Sequence, residues 1–137
     1  MYLVDTDVLS LLRRPERNPD IGRWISGQRT TDLYMSVVSV AEIERGIARQ
    51  RRRDAPFANL LAAWLDTVLS LYGNRILPVD ASTARRWGRL SGDLGHDGTD
   101  LLIAAAAIEH GLTVVTCNVR HFAPTGVPVV DPSVPHR

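Results

Sequence analysis

Short apolar segments alternate with helix-forming segments along this chain, and this alternation constrains the fold more than any other feature. The strand-like segments cover residues 2–4, 33–38, 75–79, 112–116 and 127–130, and most of their positions are apolar. Continuous apolar strands are typical of a parallel sheet that is buried on both faces. Strands separated by helices therefore predict an α/β fold with three layers, in which helices cover both faces of a mostly parallel sheet of four to five strands.

The segments between the strands carry helix start and stop signals. Ser39 and Glu42 have the spacing of a capping box, so we expect a helix from Ser39 to about residue 53. Apolar residues recur every three or four positions over 57–69, which predicts an amphipathic helix. The segment 101–110 is apolar on nearly every side, so its helix is expected to be buried.

Length and composition narrow the class of protein. A chain of 137 residues suits one domain, so we expect residues 1–137 to form a single domain. Its one cysteine, Cys117, excludes an intrachain disulfide and a cysteine-rich zinc site. All 16 basic residues are arginine, which excludes P-loop or Schiff-base lysine chemistry. We find no membrane-spanning run and no signal peptide, and we expect a cytoplasmic protein.

Acidic side chains cluster at the ends of the predicted strands, where parallel sheets place their sites. These polar residues are Asp5 and Asp7 after the first strand, Glu42 after the second, Asp97 and Asp100 before the buried helix, and Asn118 after the strand ending at Thr116. Several carboxylates without lysine or a histidine cluster predict a hard divalent cation, Mg²⁺ or Mn²⁺. Asp7, Asp97 and the pair Ser39–Glu42 also suit helix capping, so the prediction depends on their convergence.

Four segments resemble, in order, the motifs of PIN-domain ribonucleases, specifically the VapC toxins of toxin–antitoxin pairs. They are Leu3-Val-Asp-Thr-Asp-Val-Leu9, Ser36-Val-Val-Ser-Val-Ala-Glu-Ile-Glu-Arg-Gly46, Asp100-Leu-Leu-Ile-Ala-Ala-Ala-Ala107 with Gly111-Leu112, and Val115-Thr-Cys-Asn-Val-Arg-His-Phe122. The resemblance covers nearly the whole chain. It implies a compact α/β/α fold, Mg²⁺- or Mn²⁺-dependent RNA cleavage and a homodimer. It also implies a cognate VapB-type antitoxin.

The resemblance assigns roles to individual residues. Asp5, Glu42 and Asp100 match the family's acids; we expect Asp5 and Asp100 to ligate the metal directly and Glu42 to act through water. The family's frequent fourth acid falls at Asn118, which carries no charge and puts a second metal in doubt. Asp97 is a candidate for supplying that charge. Thr116 matches a position that hydrogen-bonds near the centre.

Arginines are the expected RNA ligands, because guanidinium groups pair with phosphates and stack on bases. The candidates are Arg13, Arg120 and the cluster Arg49, Arg51, Arg52 and Arg53; a solvated helix end with favourable dipole charge explains the cluster equally well. We expect no histidine at the site. Water rather than the 2′-hydroxyl should therefore attack, leaving 5′-phosphate and 3′-hydroxyl ends.

Other functions and partner contacts remain open at this point. Asp5-Thr-Asp7-Val resembles the opening of haloacid-dehalogenase-type phosphotransferases, although Leu9 departs from that pattern, and a receiver domain would need the missing lysine. A non-catalytic RNA- or protein-binding module is a further alternative.

The helix over 57–71, with Trp64, is expected to contribute to the homodimer. The antitoxin is expected to place an arginine at the acids, in a groove flanked by Leu9, Leu12 and Trp24.

Overall fold

Five parallel strands form the central sheet of the protein in a computed structural model, which describes residues 1–135. They are β1 (Tyr2–Val4), β2 (Leu33–Ser36), β3 (Ile76–Leu77), β4 (Thr113–Val115) and β5 (Val129–Val130), in the order β3-β2-β1-β4-β5. Every adjacent pair is parallel. The predicted α/β/α architecture is confirmed, although most of the strands are shorter than the apolar segments that predicted them.

Helices cover both faces of this sheet. They are α1 (Thr6–Leu11), α2 (Pro19–Ser26), α3 (Val37–Arg53), α4 (Ala55–Tyr72), α5 (Ala81–Leu94), α6 (Thr99–His110) and α7 (Val119–Phe122). Within residues 1–135, no helix is both long and apolar enough to cross a bilayer.

Successive residues of a strand point to opposite faces of the sheet, and here both faces are buried. Leu3 and Val114 pack with the alanines of α6, whose small side chains allow close approach to the sheet. Val4 and Val115 pack on the other face against α1, α2 and α4. These four strand residues have no exposed surface, which explains why the strands are apolar throughout.

Three helices start differently from the sequence prediction. The helix α3 begins at Val37, because the extended backbone of Ser36 lets its hydroxyl accept from the Val38 N–H at 3.0 Å. The predicted Ser39–Glu42 capping box is therefore wrong. Asp97 is exposed and does not cap α6, whose N-cap is Gly98. Asp5, not Asp7, is the N-cap residue of α1.

The order in which the chain adds strands to the sheet reverses between β1 and β4. The chain passes from β1 to β2 and β3 on one side and later returns to β4 on the other. Leu3 pairs with Val114 and Val4 with Val115, so the next residue, Asp5, donates its N–H to the Val115 carbonyl at 2.9 Å. Ligand sites of open α/β sheets lie outside the carboxyl ends of strands at such a switch point.

Candidate active site

A cleft of about 570 Å³ opens at the carboxyl ends of β1 and β4. Its polar lining consists of Asp5, Thr6, Asp7, Glu42, His96, Thr99, Asp100, Asn118, Arg120 and His121. The fold thus brings the three predicted acids, the predicted amide and one predicted arginine to one place. They come from segments that are far apart in the sequence.

Asp5 is the most buried acid of the cleft, with 7% of its surface exposed. Its Oδ1 accepts from the Thr6 N–H at 2.8 Å and its Oδ2 from the Thr116 hydroxyl at 2.9 Å. Burial raises the pKa of the Asp5 carboxyl to about 7, and the nearby Asp7 charge adds to the rise, while the hydrogen bonds from Thr116 and Thr6 oppose it. A cation beside Asp5 would stabilise its charged form.

Thr116 and Asn118 organise the segment that follows β4. The buried Thr116 hydroxyl accepts from the Asn118 N–H at 2.9 Å while it donates to Asp5. The Asn118 Nδ2 donates to Asp7 Oδ2 at 3.0 Å. An amide at position 118 therefore serves as a donor to an acid, where a carboxylate would repel Asp7. The sequence placed Asp7 among the acids at the strand ends, with helix capping as the alternative, but did not predict this contact.

Glu42 lies in the second turn of α3, where hydroxyl groups hold both of its carboxylate oxygens. The Thr6 hydroxyl donates to Oε1 at 2.7 Å and the Thr99 hydroxyl to Oε2 at 3.1 Å. Because the single hydroxyl proton of Thr6 points to Glu42, the Ser39 hydroxyl donates to Thr6 at 2.8 Å. The roles of Thr6 and Thr99 were not predicted from the sequence, although each residue stands next to an acid at a helix start.

Asp100 lies in the first turn of α6, half-buried, and its position depends on Gly98. A Cβ atom at position 98 would stand only 2.5 Å from Asp100 Oδ1. Any side chain at position 98 would therefore displace the Asp100 carboxylate. The glycine that begins this helix makes room for the acid.

The donors of the cleft suit a hard cation. Asp5, Asp7, Glu42 and Asp100 supply carboxylate oxygens, the ligands that Mg²⁺ and Mn²⁺ prefer. Within residues 1–135, no three His, Cys, Asp or Glu side chains are arranged as a ready-made metal cage. Mg²⁺ usually keeps several waters and binds through one or two carboxylates plus phosphate oxygens. The donor set fits that mode. Burial and the nearby Asp7 charge raise the pKa of Asp5, and a bound cation would oppose both effects.

Several predicted residues lie elsewhere. The exposed Asp97 does not line the cleft, and the Arg13 guanidinium lies 5.2 Å from the centre of the Phe57 ring. The Arg49, Arg52 and Arg53 side chains line a different cavity, and Arg51 donates to Asn59 at 2.9 Å. The expectation of a site without histidine was wrong, because the exposed side chains of His96 and His121 lie at the rim of the cleft.

The apolar residues predicted to flank the acids line a second cavity instead. Leu9, Leu12, Trp64 and Leu71 line a groove of about 400 Å³ between α1, α2 and α4. Trp24 belongs to neither cavity and packs edge-on against Tyr2, with ring centres 5.0 Å apart. The prediction of one combined groove was wrong, because α1 turns Leu9 and Leu12 away from the acids at its start.

Comparisons with known proteins show which family this chain resembles over its length. Residues 2–126 match the family model described as PIN domain. The chain is 31% identical over 142 residues to VapC ribonuclease Y4jK of Sinorhizobium fredii, covering 98% of this chain and 99% of that protein. It is 31% identical over 138 residues to Toxin FitB of Neisseria gonorrhoeae, covering 96% and 98%.

A solved structure shows the same arrangement of elements. The crystal structure of FitAcB from Neisseria gonorrhoeae matches with a TM-score of 0.85 at 32% identity, covering 96% of this chain and 98% of that chain. With its parallel sheet, its acids at the switch point and a family match over nearly its whole length, this chain belongs to the PIN-domain family.

Proposed function

We propose that this chain is a VapC-like ribonuclease toxin that hydrolyses RNA in the acidic cleft and is neutralised by a VapB-type antitoxin. The relatives named VapC ribonuclease and Toxin FitB support this proposal. The observation that carries it is the presence of Asp5, Glu42 and Asp100 in one cleft at the switch point of the sheet. We further propose that residues 1–137 act as one domain in the cytoplasm, where RNA substrates are found.

Asp5 and Asp100 are the residues that would hold Mg²⁺ or Mn²⁺ directly, with Glu42 linked through water. A bound divalent ion supplies a water of lowered pKa and neutralises charge on the phosphate. Thr116 and the Thr6 N–H hold the Asp5 carboxylate in place.

In this proposal Glu42 orients the attacking water and accepts its proton. Both of its oxygens already accept from threonine hydroxyls, so the carboxylate keeps one orientation and retains lone pairs for a water. Arg120 lines the same cleft and can pair with a phosphate of the substrate. Together these residues favour attack by water over attack by the 2′-hydroxyl.

The chemical ends of the RNA products distinguish attack by water from attack by the 2′-hydroxyl. This test is needed because His96 and His121 stand at the rim of the cleft, and a histidine can assist the 2′-hydroxyl. Water attack leaves 5′-phosphate and 3′-hydroxyl ends, and an RNA with a single 2′-deoxy nucleotide at the cut should still be cleaved. A 2′,3′-cyclic phosphate product, or loss of cleavage with the deoxy substrate, would instead implicate the 2′-hydroxyl.

The proposal as a whole is tested by incubating the purified chain with RNA in Mg²⁺, in Mn²⁺ and in excess chelator. Cleavage that requires the cation and is lost in Asp100→Asn supports it. Hydrolysis of a small phosphate ester without RNA cleavage would favour the phosphotransferase alternative. RNA binding without any cleavage would favour the non-catalytic alternative.

A further inference from the structure

One face of α3 leads away from the cleft and carries cationic side chains. Glu42, Gly46, Arg49 and Arg53 follow one another at spacings of four, three and four residues, so they share this face. At about 1.5 Å per residue, Arg49 lies roughly 10 Å and Arg53 roughly 16 Å along the helix axis from Glu42. The helix thus connects the acid in the cleft to arginines at its other end.

The end of this face is concave and basic. Gly46, Arg49, Arg52 and Arg53 line a cavity of about 440 Å³ with Gln50, and the three arginines are exposed. In the described part of the chain, the salt bridges join Arg23 to Asp20 and Arg86 to Glu109, both away from this cavity. The neighbouring Asp54 uses its Oδ1 to accept the Phe57 N–H at the start of α4.

Nothing in the described part of the chain requires glycine at position 46. It is exposed inside a helix, where glycine is less favourable than alanine, and a Cβ atom there would meet no heavy atom within 4 Å. Its φ angle is not positive either, so the backbone does not require it. The missing side chain leaves open surface between Glu42 and Arg49.

We propose that this face, formed by Gly46, Arg49, Arg52 and Arg53 and called here the α3 track, binds the backbone of single-stranded RNA that extends from the cleft. The inference rests on the proposed ribonuclease function. At roughly 3.4 Å per stacked nucleotide, the distance from Glu42 to the arginines corresponds to about three to five nucleotides. Contacts to phosphates add affinity for longer RNA without selecting its sequence.

The test measures binding in the Asp100→Asn background, so that the RNA stays intact. Fluorescence anisotropy compares unstructured RNAs of about four and about twelve nucleotides over a range of salt concentrations. The longer RNA should bind more tightly. Arg49→Gln with Arg53→Gln should weaken its binding roughly tenfold at about 0.15 M salt and lower the slope of log affinity against log salt by about 1.4.

Two matched controls separate the α3 track from general charge and bulk. Arg85→Gln with Arg89→Gln removes the same charge from exposed positions of α5, and should retain the preference for long RNA. Gly46→Gln should weaken binding of the longer RNA, whereas Ala48→Gln adds the same side chain on another exposed face of α3. Circular dichroism checks that each variant is folded.

Equal losses in the track and control pairs would overturn the proposal, as would equal affinity of the unsubstituted track for both RNA lengths. Binding of duplex DNA as tight as that of RNA would also overturn it and indicate a general polyanion surface. Cleavage by the wild-type chain is measured separately. Length-dependent binding without cleavage would defeat the proposed ribonuclease function alone, and cleavage without length dependence would defeat the track alone.

Discussion

At the scale of single residues, the Asp5 carboxyl is held firmly in one position, but its ionised form is unfavourable there. Hydrogen bonds from Thr6 and Thr116 fix both carboxylate oxygens, while burial and Asp7 raise its pKa to about 7. Such a carboxyl is costly to ionise when no cation is near. It is therefore suited to hold a cation in a defined position rather than to stabilise the fold.

Asp5→Asn and Asp100→Asn should each reduce RNA cleavage by more than about a hundredfold, because each removes the charge of a proposed direct metal ligand. The shape of the side chain is kept, so we expect both variants to stay folded. Gel assays in millimolar Mg²⁺ measure the cleavage, and circular dichroism measures the fold. A folded variant that cuts RNA at the wild-type rate would refute the assigned roles.

The raised pKa of Asp5 makes stability depend on pH. The folded state binds this proton more tightly than the unfolded state, whose pKa is near 3.8, so the stabilising contribution is complete below that pH. It is lost as the pH rises through about 7. Relative to Asp5→Asn, metal-free wild type should lose on the order of a few kcal/mol of unfolding free energy across this range.

Denaturant unfolding in chelator at a series of pH values checks this expectation. The free energy of unfolding of wild type, relative to that of Asp5→Asn, should fall between pH 3.8 and about 7. Added Mg²⁺ should recover stability of the wild type near neutral pH, because the ion binds only the folded state. A difference that stays flat with pH would show that Asp5 ionises normally.

At the scale of elements, the starts of α1 and α6 meet the second turn of α3 in the cleft. Thr6 begins α1, Thr99 begins α6, and Glu42 of α3 lies between their hydroxyls. The positive ends of the α1 and α6 dipoles favour the acids in their first turns, Asp7 and Asp100. The hydroxyls of Thr6 and Thr99 orient Glu42, so two helices that do not contain this acid fix its position.

Thr99→Val should lower kcat by about ten- to a hundredfold with little change in KM, because Glu42 loses one of its two hydroxyl donors. Steady-state cleavage of a labelled RNA separates the two parameters. Thr67→Val is the matched control, since that exposed hydroxyl bonds only to the Ala63 carbonyl of its own helix. Equal kcat values for the two variants would remove Thr99 from the positioning of Glu42.

At the scale of the whole molecule, the acidic cleft and the apolar groove are separate cavities. We propose that an antitoxin segment binds the groove lined by Leu12, Trp64 and Leu71 and reaches the acids with an arginine. Its affinity should then fall as Mg²⁺ rises, because the ion and the arginine share ligands. Trp64→Ala should weaken binding with or without Mg²⁺.

Calorimetry with the co-purified antitoxin measures both effects. Glu42→Gln should also weaken binding if the arginine reaches the site. Affinity that is unaffected by Mg²⁺ and by Glu42→Gln would show that inhibition comes from covering the cleft or remodelling the dimer.

The exposed face of α4 bears on the predicted homodimer. Leu60 lies on this face and is 67% exposed. Light scattering should give a mass near twice 15.1 kDa for wild type and near 15.1 kDa for Leu60→Glu. The exposed substitution Ala84→Glu serves as the control. A wild-type species of 15.1 kDa at micromolar concentration would contradict the prediction.

The sequence by itself determined the α/β architecture and the three acids. Continuous apolar strands leave no exposed face to a sheet, so helices must cover both sides. Asp5, Glu42 and Asp100 could be predicted because each follows a strand or starts a helix, and because their motifs match those of a known family. These are local properties that composition and spacing express directly.

Only the tertiary structure decided which side chains meet in the cleft. Helix starts vary by a few residues in sequence analysis, and the true start of α3 at Val37 puts Ser39 against Thr6 instead of at a cap. The contact between Asn118 and Asp7 joins residues 111 positions apart. Packing of distant segments around the switch point sets such contacts, and no local pattern encodes their geometry.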